Sequence, residues 1–400
     1  MKSIERKILT FLALFGRSST AFMPHGSSGN YNRSRRINAP SSSSSTTLHE
    51  DLHGAVYRKE HEMKGVNQQH KSLTDPIRMA IGYVLEGENR PPLKLAKALR
   101  RVYEDPFSTD NPESKDKSQD ELDREEKLQK YGMADAVMRR GCFIVDIKRK
   151  SLSRPGETFA RYDDASMVAE AMVGLGADVV FVNVDYASYG GDITELRSAI
   201  KAVRRVSDTA AVVMKDIVVD EIQLGLAKDA GADGVLLIAS VLGPALSNFL
   251  DLATTIGLET IVECHTRNEV QAALDALAQN VMVSNYDRLQ QRYYPEQAYK
   301  LAGMFPGSGG PIICIAGGGI DDTEDMKSLL AVGYDGVVVG KAAMGSARAP
   351  EFIRAVRDRT LLPAEMSQWG LEHVEFDKDG NLMDGPKKGI KVPGDPDTFG

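Results

Sequence analysis

The chain has 400 residues, which at ~150 per domain suits two to three domains, or one (β/α)8 barrel of ~250 residues with extensions. Hydrophobic residues make up 42% and charged residues 26%, which argues against disorder throughout, and no apolar run reaches the ~18 residues a membrane span needs. The net charge of −7 offers no basic face for a phosphate backbone and argues against nucleic-acid binding, while Cys142, Cys264 and Cys314, each in an apolar run, read as reduced core thiols and not as a disulfide scaffold or zinc cluster.

Residues 1–48 have the composition of a targeting leader. Seven bases (Lys2, Arg6, Lys7, Arg17, Arg33, Arg35, Arg36) stand against one acid, Glu5. A basic start, the apolar stretch ILTFLALFG at 8–16 and the small residues Ser18–Ala21 give a signal-peptide layout. The acid-free segment that follows, with the run Ser41–Ser45, has transit-peptide composition. Together, with Phe22 after Ala21, they resemble the two-part leader of plastids reached through the secretory pathway. Plain secretion is the alternative. Without the leader, the rest of the chain is more acidic than the whole.

Residues 49–140 read as an N-terminal extension of helices and a charged linker. Val56–Val66 (VYRKEHEMKGV) has helical composition, and Leu93–Tyr103 (LKLAKALRRVY) spaces its apolar residues helically. Asp105–Asp123 is a solvated Pro/Ser/Asp/Glu/Lys stretch.

From Gly141 the pattern changes to short β-branched runs separated by helical segments. It predicts eight strands: Cys142–Ile147, Asp178–Val184, Ala211–Lys215, Asp233–Ala239, Thr260–Glu263, Val281–Ser284, Pro311–Ala316 and Asp335–Val339. Helical spacing recurs between them, as in Glu195–Val203, Glu221–Ala230 and Asp325–Leu330. A local repeat shares one plan in LGADVVFV (Leu175–Val182), AGADGVLLI (Ala230–Ile238) and VGYDGVVVG (Val332–Gly340). Each has a helix end, a glycine placed to cap it, an aspartate and a strand apolar on both faces, as a parallel sheet requires. Eight strand–helix units without a Rossmann glycine turn predict an α/β TIM (β/α)8 barrel over 141–359. Residues 360–400 form a polar, turn-rich tail. There Asp377, Asp379 and Asn381 echo a calcium loop, but Leu382 stands where glycine is required and no glutamate closes it, so an exposed turn is the better reading.

Barrel enzymes carry their sites at the C-terminal ends of the strands. The first predicted strand ends in Asp146 and Lys148, which alternation points the same way; the third ends in Lys215 and the fifth in Glu263. Charges ending apolar strands are costly unless they pair or face a pocket, and here they aim at one mouth. Gly317-Gly318-Gly319 after the seventh strand and Gly340-Lys341 after the eighth fall where this fold binds phosphate. His265 is the one histidine in the barrel, reads as a surface or packing residue, and leaves no metal constellation. Acid–base work then falls to lysines and carboxylates. Ser151 and Ser153 lack a partner base.

Phe143–Ser153 (FIVDIKRKSLS), Val213–Leu224 (VMKDIVVDEIQL), Gly231–Leu242 (GADGVLLIASVL) and Gly257–Thr266 (GLETIVECHT) resemble indole-3-glycerol-phosphate synthase in order and spacing, over about Gly141–Gly345. The resemblance implies a carbon–carbon lyase of tryptophan biosynthesis, with no metal or organic cofactor. It would close the indole ring of 1-(2-carboxyphenylamino)-1-deoxyribulose 5-phosphate with loss of CO2 and water. It implies Lys215 as general acid, Glu263 as a general base in dehydration, and Lys148, beside Asp146, on the substrate carboxylate. Ser151 and Tyr189 would lie at the anthranilate-like ring, with Ser284 and Asn285 as further substrate contacts. Gly318, Gly319, Gly340 and Lys341 would hold the phosphate. The charged Ser118–Arg140 would supply a helix over the mouth, and other tryptophan-pathway enzymes are the implied partners.

Several positions depart from the family pattern. Asp146 replaces a glutamate, Leu152 a proline, and Gly317 and Gly318 a glutamate and a serine. After the sixth strand the pattern Asn-x-Arg-Asp becomes Ser284-Asn285-Tyr286-Asp287, and Arg288 substitutes for the missing arginine only if the loop bulges. A lost hydrogen bond to the reacting groups costs about 2–4 kcal/mol in the transition state. Two alternatives therefore stand beside the synthase: a related barrel acting on another sugar phosphate, and a non-catalytic binding barrel.

Overall fold

The computed structural model describes residues 51–82, 93–100, 103–104, 138–139, 141–152, 157–158, 160–307, 310–344 and 348–357. The leader, Asp105–Asp123, most of Ser118–Arg140 and the tail from residue 360 lie outside them.

Eight parallel strands close into a barrel in the order β7-β8-β1-β2-β3-β4-β5-β6. They are β1 (Cys142–Ile147), β2 (Val179–Asn183), β3 (Ala211–Lys215), β4 (Gly234–Ile238), β5 (Glu259–Cys264), β6 (Asn280–Ser284), β7 (Ile313–Gly317) and β8 (Gly336–Val339). The eight strands expected from the sequence are thus present, with ends moved by a residue or two. Outside the barrel lie α4 (Ala165–Leu175), α5 (Ile193–Val206), α6 (Ile222–Ala230), α7 (Leu246–Thr255), α8 (Arg267–Asp275), α9 (Gln297–Ala302), α10 (Thr323–Ala331) and α11 (Ala349–Arg357). The fold is a TIM barrel.

The repeated motif acquires a physical role. Gly176 and Gly231 end α4 and α6 in left-handed backbone, at φ of 117° and 83°. Each following aspartate stands at the start of a strand and accepts a backbone N–H of the preceding strand. Asp178 takes Phe143 N at 2.9 Å, Asp233 takes Val212 N at 2.8 Å and Asp335 takes Cys314 N at 2.9 Å. These carboxylates satisfy amides at the barrel floor and fix strand register.

Alternate side chains of each strand divide between two apolar layers. Ile144, Phe181, Val213, Leu236, Ile261, Met282, Ile315 and Val338 fill the barrel interior, while their neighbours pack against the helices. The extension adds α1 (Leu52–Gln69), α2 (Pro76–Gly82) and α3 (Lys94–Leu99). Leu95 and Leu99 of α3 are fully buried among the interior residues, so α3 plugs the barrel floor. Burying each leucine stabilises by about 1.5–3 kcal/mol. The expected helix Leu93–Tyr103 is shorter than its pattern: Arg100 turns extended once both leucines are seated. Tyr103–Glu104 instead pair antiparallel with Met138–Arg139. The expected helix over Val56–Val66 runs longer, because the Asp51 carboxylate caps its start on Gly54 N at 2.7 Å. Among the described residues, no helix is long and apolar enough to cross a membrane.

Candidate active site

β1 and β3 deliver Asp146, Lys148 and Lys215 to the C-terminal mouth. Asp146 Oδ2 accepts from Lys148 Nζ at 2.5 Å and from Lys215 Nζ at 3.0 Å. Its Oδ1 accepts from Asn183 Nδ2 at 2.7 Å. Asn183 ends β2 and also donates to Ile147 O at 2.9 Å. One short carboxylate therefore serves three donors from three adjacent strands. Burial pushes the Asp146 carboxyl up, but the Lys148 and Lys215 charges outweigh it and hold it well below the usual range. The ring of Phe181 lies 5.7 Å from Lys215 Nζ and forms an apolar wall beside the ammonium.

Glu263, on β5, is buried and grips Arg288. Arg288 donates through Nε to Oε1 and through Nη2 to Oε2, the latter at 2.9 Å. Its Nη1 donates to the Tyr189 hydroxyl. Burial raises the Glu263 carboxyl, yet the Arg288 guanidinium, helped by Lys215 and His265, brings it down to about 2. His265 is buried, with Nε2 3.4 Å from Glu263 Oε1; it packs beneath the carboxylate.

The loop after β6 explains how Arg288 arrives there. Tyr286–Asp287 pair antiparallel with Arg292–Tyr293, forming a short hairpin. Asp287 Oδ1 accepts Leu289 N and Gln290 N at 2.9 and 3.0 Å, tightening its turn. Ser284 and Asn285 lie at the base of this hairpin. The Ser284 hydroxyl bonds the Tyr286 backbone at 3.2 Å, and Asn285 Oδ1 accepts Ala298 N at 2.8 Å, at the start of α9. Both polar groups are thus engaged by the protein itself.

The remaining expected residues spread round the mouth. Tyr189 is buried, its carbonyl accepting Arg149 N and Lys150 N at 3.0 and 3.2 Å, which anchors the loop after β1. Ser151 lies half-buried on that loop. A Cβ on Gly340 would lie 3.6 Å from Asp146 Oδ2 and from Lys148 Cε, so bare backbone borders the lysine pair there. Gly319 sits under the Tyr293 ring, whose hydroxyl donates to Gly319 O at 3.2 Å. Lys341 stands on the rim, 40% exposed, with Nζ 3.4 Å from Glu157 Oε1. Lys148, Lys215 and Asp146 form one contact group, Glu263, Arg288 and Tyr189 a second, and the charge of Lys215 acts on both carboxylates. Sequence reasoning missed Asn183, although a polar residue ending an apolar strand is the signal that found Lys215 and Glu263.

Fold and site define a (β/α)8 barrel whose C-terminal mouth gathers two lysines, an arginine and two buried carboxylates. A family model described as indole-3-glycerol phosphate synthase matches residues 108–356. The indole-3-glycerol phosphate synthase of Kineococcus radiotolerans is 33% identical over 225 residues, 56% of this chain and 77% of that protein. That of Methanocaldococcus jannaschii is 30% identical over 240 residues, covering 59% and 86%. That of Thermoanaerobacter pseudethanolicus is 29% identical over 218 residues, covering 54% and 76%. The chain belongs to the indole-3-glycerol phosphate synthase family.

Proposed function

We infer that the protein closes the indole ring of 1-(2-carboxyphenylamino)-1-deoxyribulose 5-phosphate, releasing CO2 and water, in tryptophan biosynthesis. The observation that carries this reading is the pairing of Lys148 and Lys215 on Asp146 beside the Glu263–Arg288 pair. Two ammonium groups on one carboxylate leave a net positive charge at the mouth, which suits a substrate bearing a carboxylate and a phosphate.

Lys215 is the general acid. As the carboxylate-bearing ring carbon attacks the ketone, Lys215 Nζ gives its proton to the carbonyl oxygen, and CO2 then leaves to restore the aromatic ring. Lys148 pairs with the substrate carboxylate before that departure. Glu263 takes the proton from the carbon beside nitrogen as the new hydroxyl, protonated by Lys148, leaves as water. Gly340, after β8, offers bare backbone beside the lysine pair to the phosphate.

A mouth without the family's arginine after β6 would suit a sugar phosphate that lacks a carboxylate. Arg288 argues against such a substrate, because its hairpin brings a guanidinium to the same mouth. The test is a ring-closure assay read by the gain in indole fluorescence, with Lys215→Ala as control. Turnover lost in the variant supports the reading; substrate binding without turnover by the wild type favours a non-catalytic barrel.

We also propose that residues 1–48 direct the protein to a plastid, on their two-part composition. A fluorescent protein carrying these residues would collect in plastids; release into the medium would favour plain secretion.

A further inference from the structure

Lys59 projects from the middle of α1 and is 2% exposed. Its ammonium lies 2.9 Å from Asp185 Oδ1 and 3.2 Å from Asp216 Oδ1. A lysine is almost never buried unless paired, and this one is paired twice, on two different loops. Asp185 follows β2 and caps the turn Tyr186–Tyr189 by accepting Ser188 N at 3.1 Å. Asp216 directly follows Lys215, accepting Ile217 N at 2.8 Å and Gln223 Nε2 at 2.7 Å. One carboxylate thus orders the turn that ends in Tyr189, and the other is the chain neighbour of the ammonium on Asp146.

We propose that Lys59 is a positioning residue for ring closure, bridging Asp185 and Asp216 so that the loops carrying Tyr189 and Lys215 are held in register. The proposal rests on the synthase reading above. The family model begins at residue 108, so α1 lies outside the matched stretch. The charged groups round Lys59 come from every neighbouring element. Arg58 and Glu62 lie on α1, Asp185 follows β2, and Asp216 and Asp220 follow β3. Arg58 donates to Asp185 Oδ1 and Oδ2 at 2.9 and 2.8 Å, Glu62 lies 3.2 Å from Lys59 Nζ, and Asp220 accepts Asn67 Nδ2 at 2.8 Å. Arg58 reaches Asp185, so Lys59 is the ammonium that faces Asp216. Burial raises the Asp216 carboxyl, with Asp185 adding to the rise and Lys59 opposing it. Without Lys59, two buried carboxylates would face each other, and the loops would part or one acid would take a proton.

The experiment compares the full chain with Lys59→Met, Lys59→Arg and Lys59→Met/Asp216→Asn. Lys59→Met should lower kcat by about ten- to a hundredfold with a smaller change in KM, the scale of a displaced reacting group. The loss should deepen as pH rises, because protonation of the acid pair stands in for the missing cation only at low pH. Asp216→Asn added to Lys59→Met should remove the pH dependence and ease the loss only in part, because the carboxylate repulsion is gone but the link to β3 stays cut, and Lys59→Arg should recover most of kcat. A wild-type kcat in Lys59→Met would overturn the proposal, as would a pH-independent loss that Asp216→Asn does not ease. Hydrogen exchange gives a reading independent of turnover: residues 185–190 and 216–221 should exchange faster in Lys59→Met, and unchanged exchange would overturn the proposal even if the wild type were inactive. Should Lys59→Met not fold, Asp216→Asn alone cuts the link to β3, and an unaltered kcat in that variant would overturn it.

Discussion

Arg288 closes on Glu263 through two donors, one to each carboxylate oxygen. A carboxylate held at about 2 is a weak base, so this pair describes a resting arrangement. In the proposed reaction, a substrate carboxylate entering the mouth would compete for the guanidinium and free Glu263 to accept a proton. Arg288→Lys keeps a charge but loses the fork. Its kcat/KM should fall by about 10²–10³, the usual cost of losing one preorganised donor in a site. Steady-state ring-closure kinetics check this, and Arg288→Lys with wild-type kcat/KM would remove Arg288 from the reaction.

The same pair sets a pH dependence of stability. Glu263 has its ordinary value of 4.5 lowered to about 2 in the folded state. A lowered folded value means a stabilising contribution fully present above the unfolded value and lost as pH falls through the folded one. The window therefore runs from about pH 4.5 down to about 2. Asp146 and Asp185, held low by Lys148 and Lys215 and by Arg58 and Lys59 against their own burial, act in the same direction. Urea unfolding across this window should show stability falling with acid, and Glu263→Gln should make the slope shallower. An equal slope in the variant would show that the pair does not supply it.

The barrel was legible because its signal is local. Runs such as VVFVN and GVLLI are apolar on both faces, and each is introduced by a glycine-capped helix end. Lys215 and Glu263 were legible as charges closing such runs. What stayed hidden depends on distant partners. α3 has the pattern of any amphipathic helix, and its seat in the barrel floor is set by Glu259, which follows it by more than 150 residues. Lys59 reads as one more charge on a solvated helix until Asp185 and Asp216 are brought to it. Arg288 lies one residue beyond the departure from the family pattern, and only the hairpin turns it inward.

Gly318 shows that the departures are mutually adjusted. Its backbone is left-handed at φ 87°, and a Cβ there would meet Ser284 Oγ, Asn285 N and Tyr286 N, each at 2.9 Å. The hairpin base has closed into the space that a side chain would need. Restoring the family's serine by Gly318→Ser should therefore destabilise by about 1–3 kcal/mol, since strain and contact act together. In a domain of this size that lowers Tm by about 2–4 °C per kcal/mol. Calorimetry checks the direction, and an unchanged Tm together with raised turnover would show that the loop yields readily.

Glu259 separates stability from chemistry. It stands at the start of β5, at the floor, whereas the reacting groups lie at the opposite end of the strands. Its Oε1 accepts Leu95 N at 2.6 Å and its Oε2 accepts Ala96 N at 2.8 Å, satisfying two amides in the first turn of α3. The negative charge also suits the positive end of that helix. Glu259→Ala removes this cap and should cost about 1–2 kcal/mol of stability, the ordinary range for a lost helix N-cap. Leu95 and Leu99 still bury their side chains, so the plug should loosen without leaving the barrel. Thermal unfolding should register the loss while kcat and KM at 25 °C stay at wild-type values. A fall in kcat without a fall in Tm would mean that the floor plug shapes the mouth, and the division of labour between the two ends of the barrel would have to be redrawn.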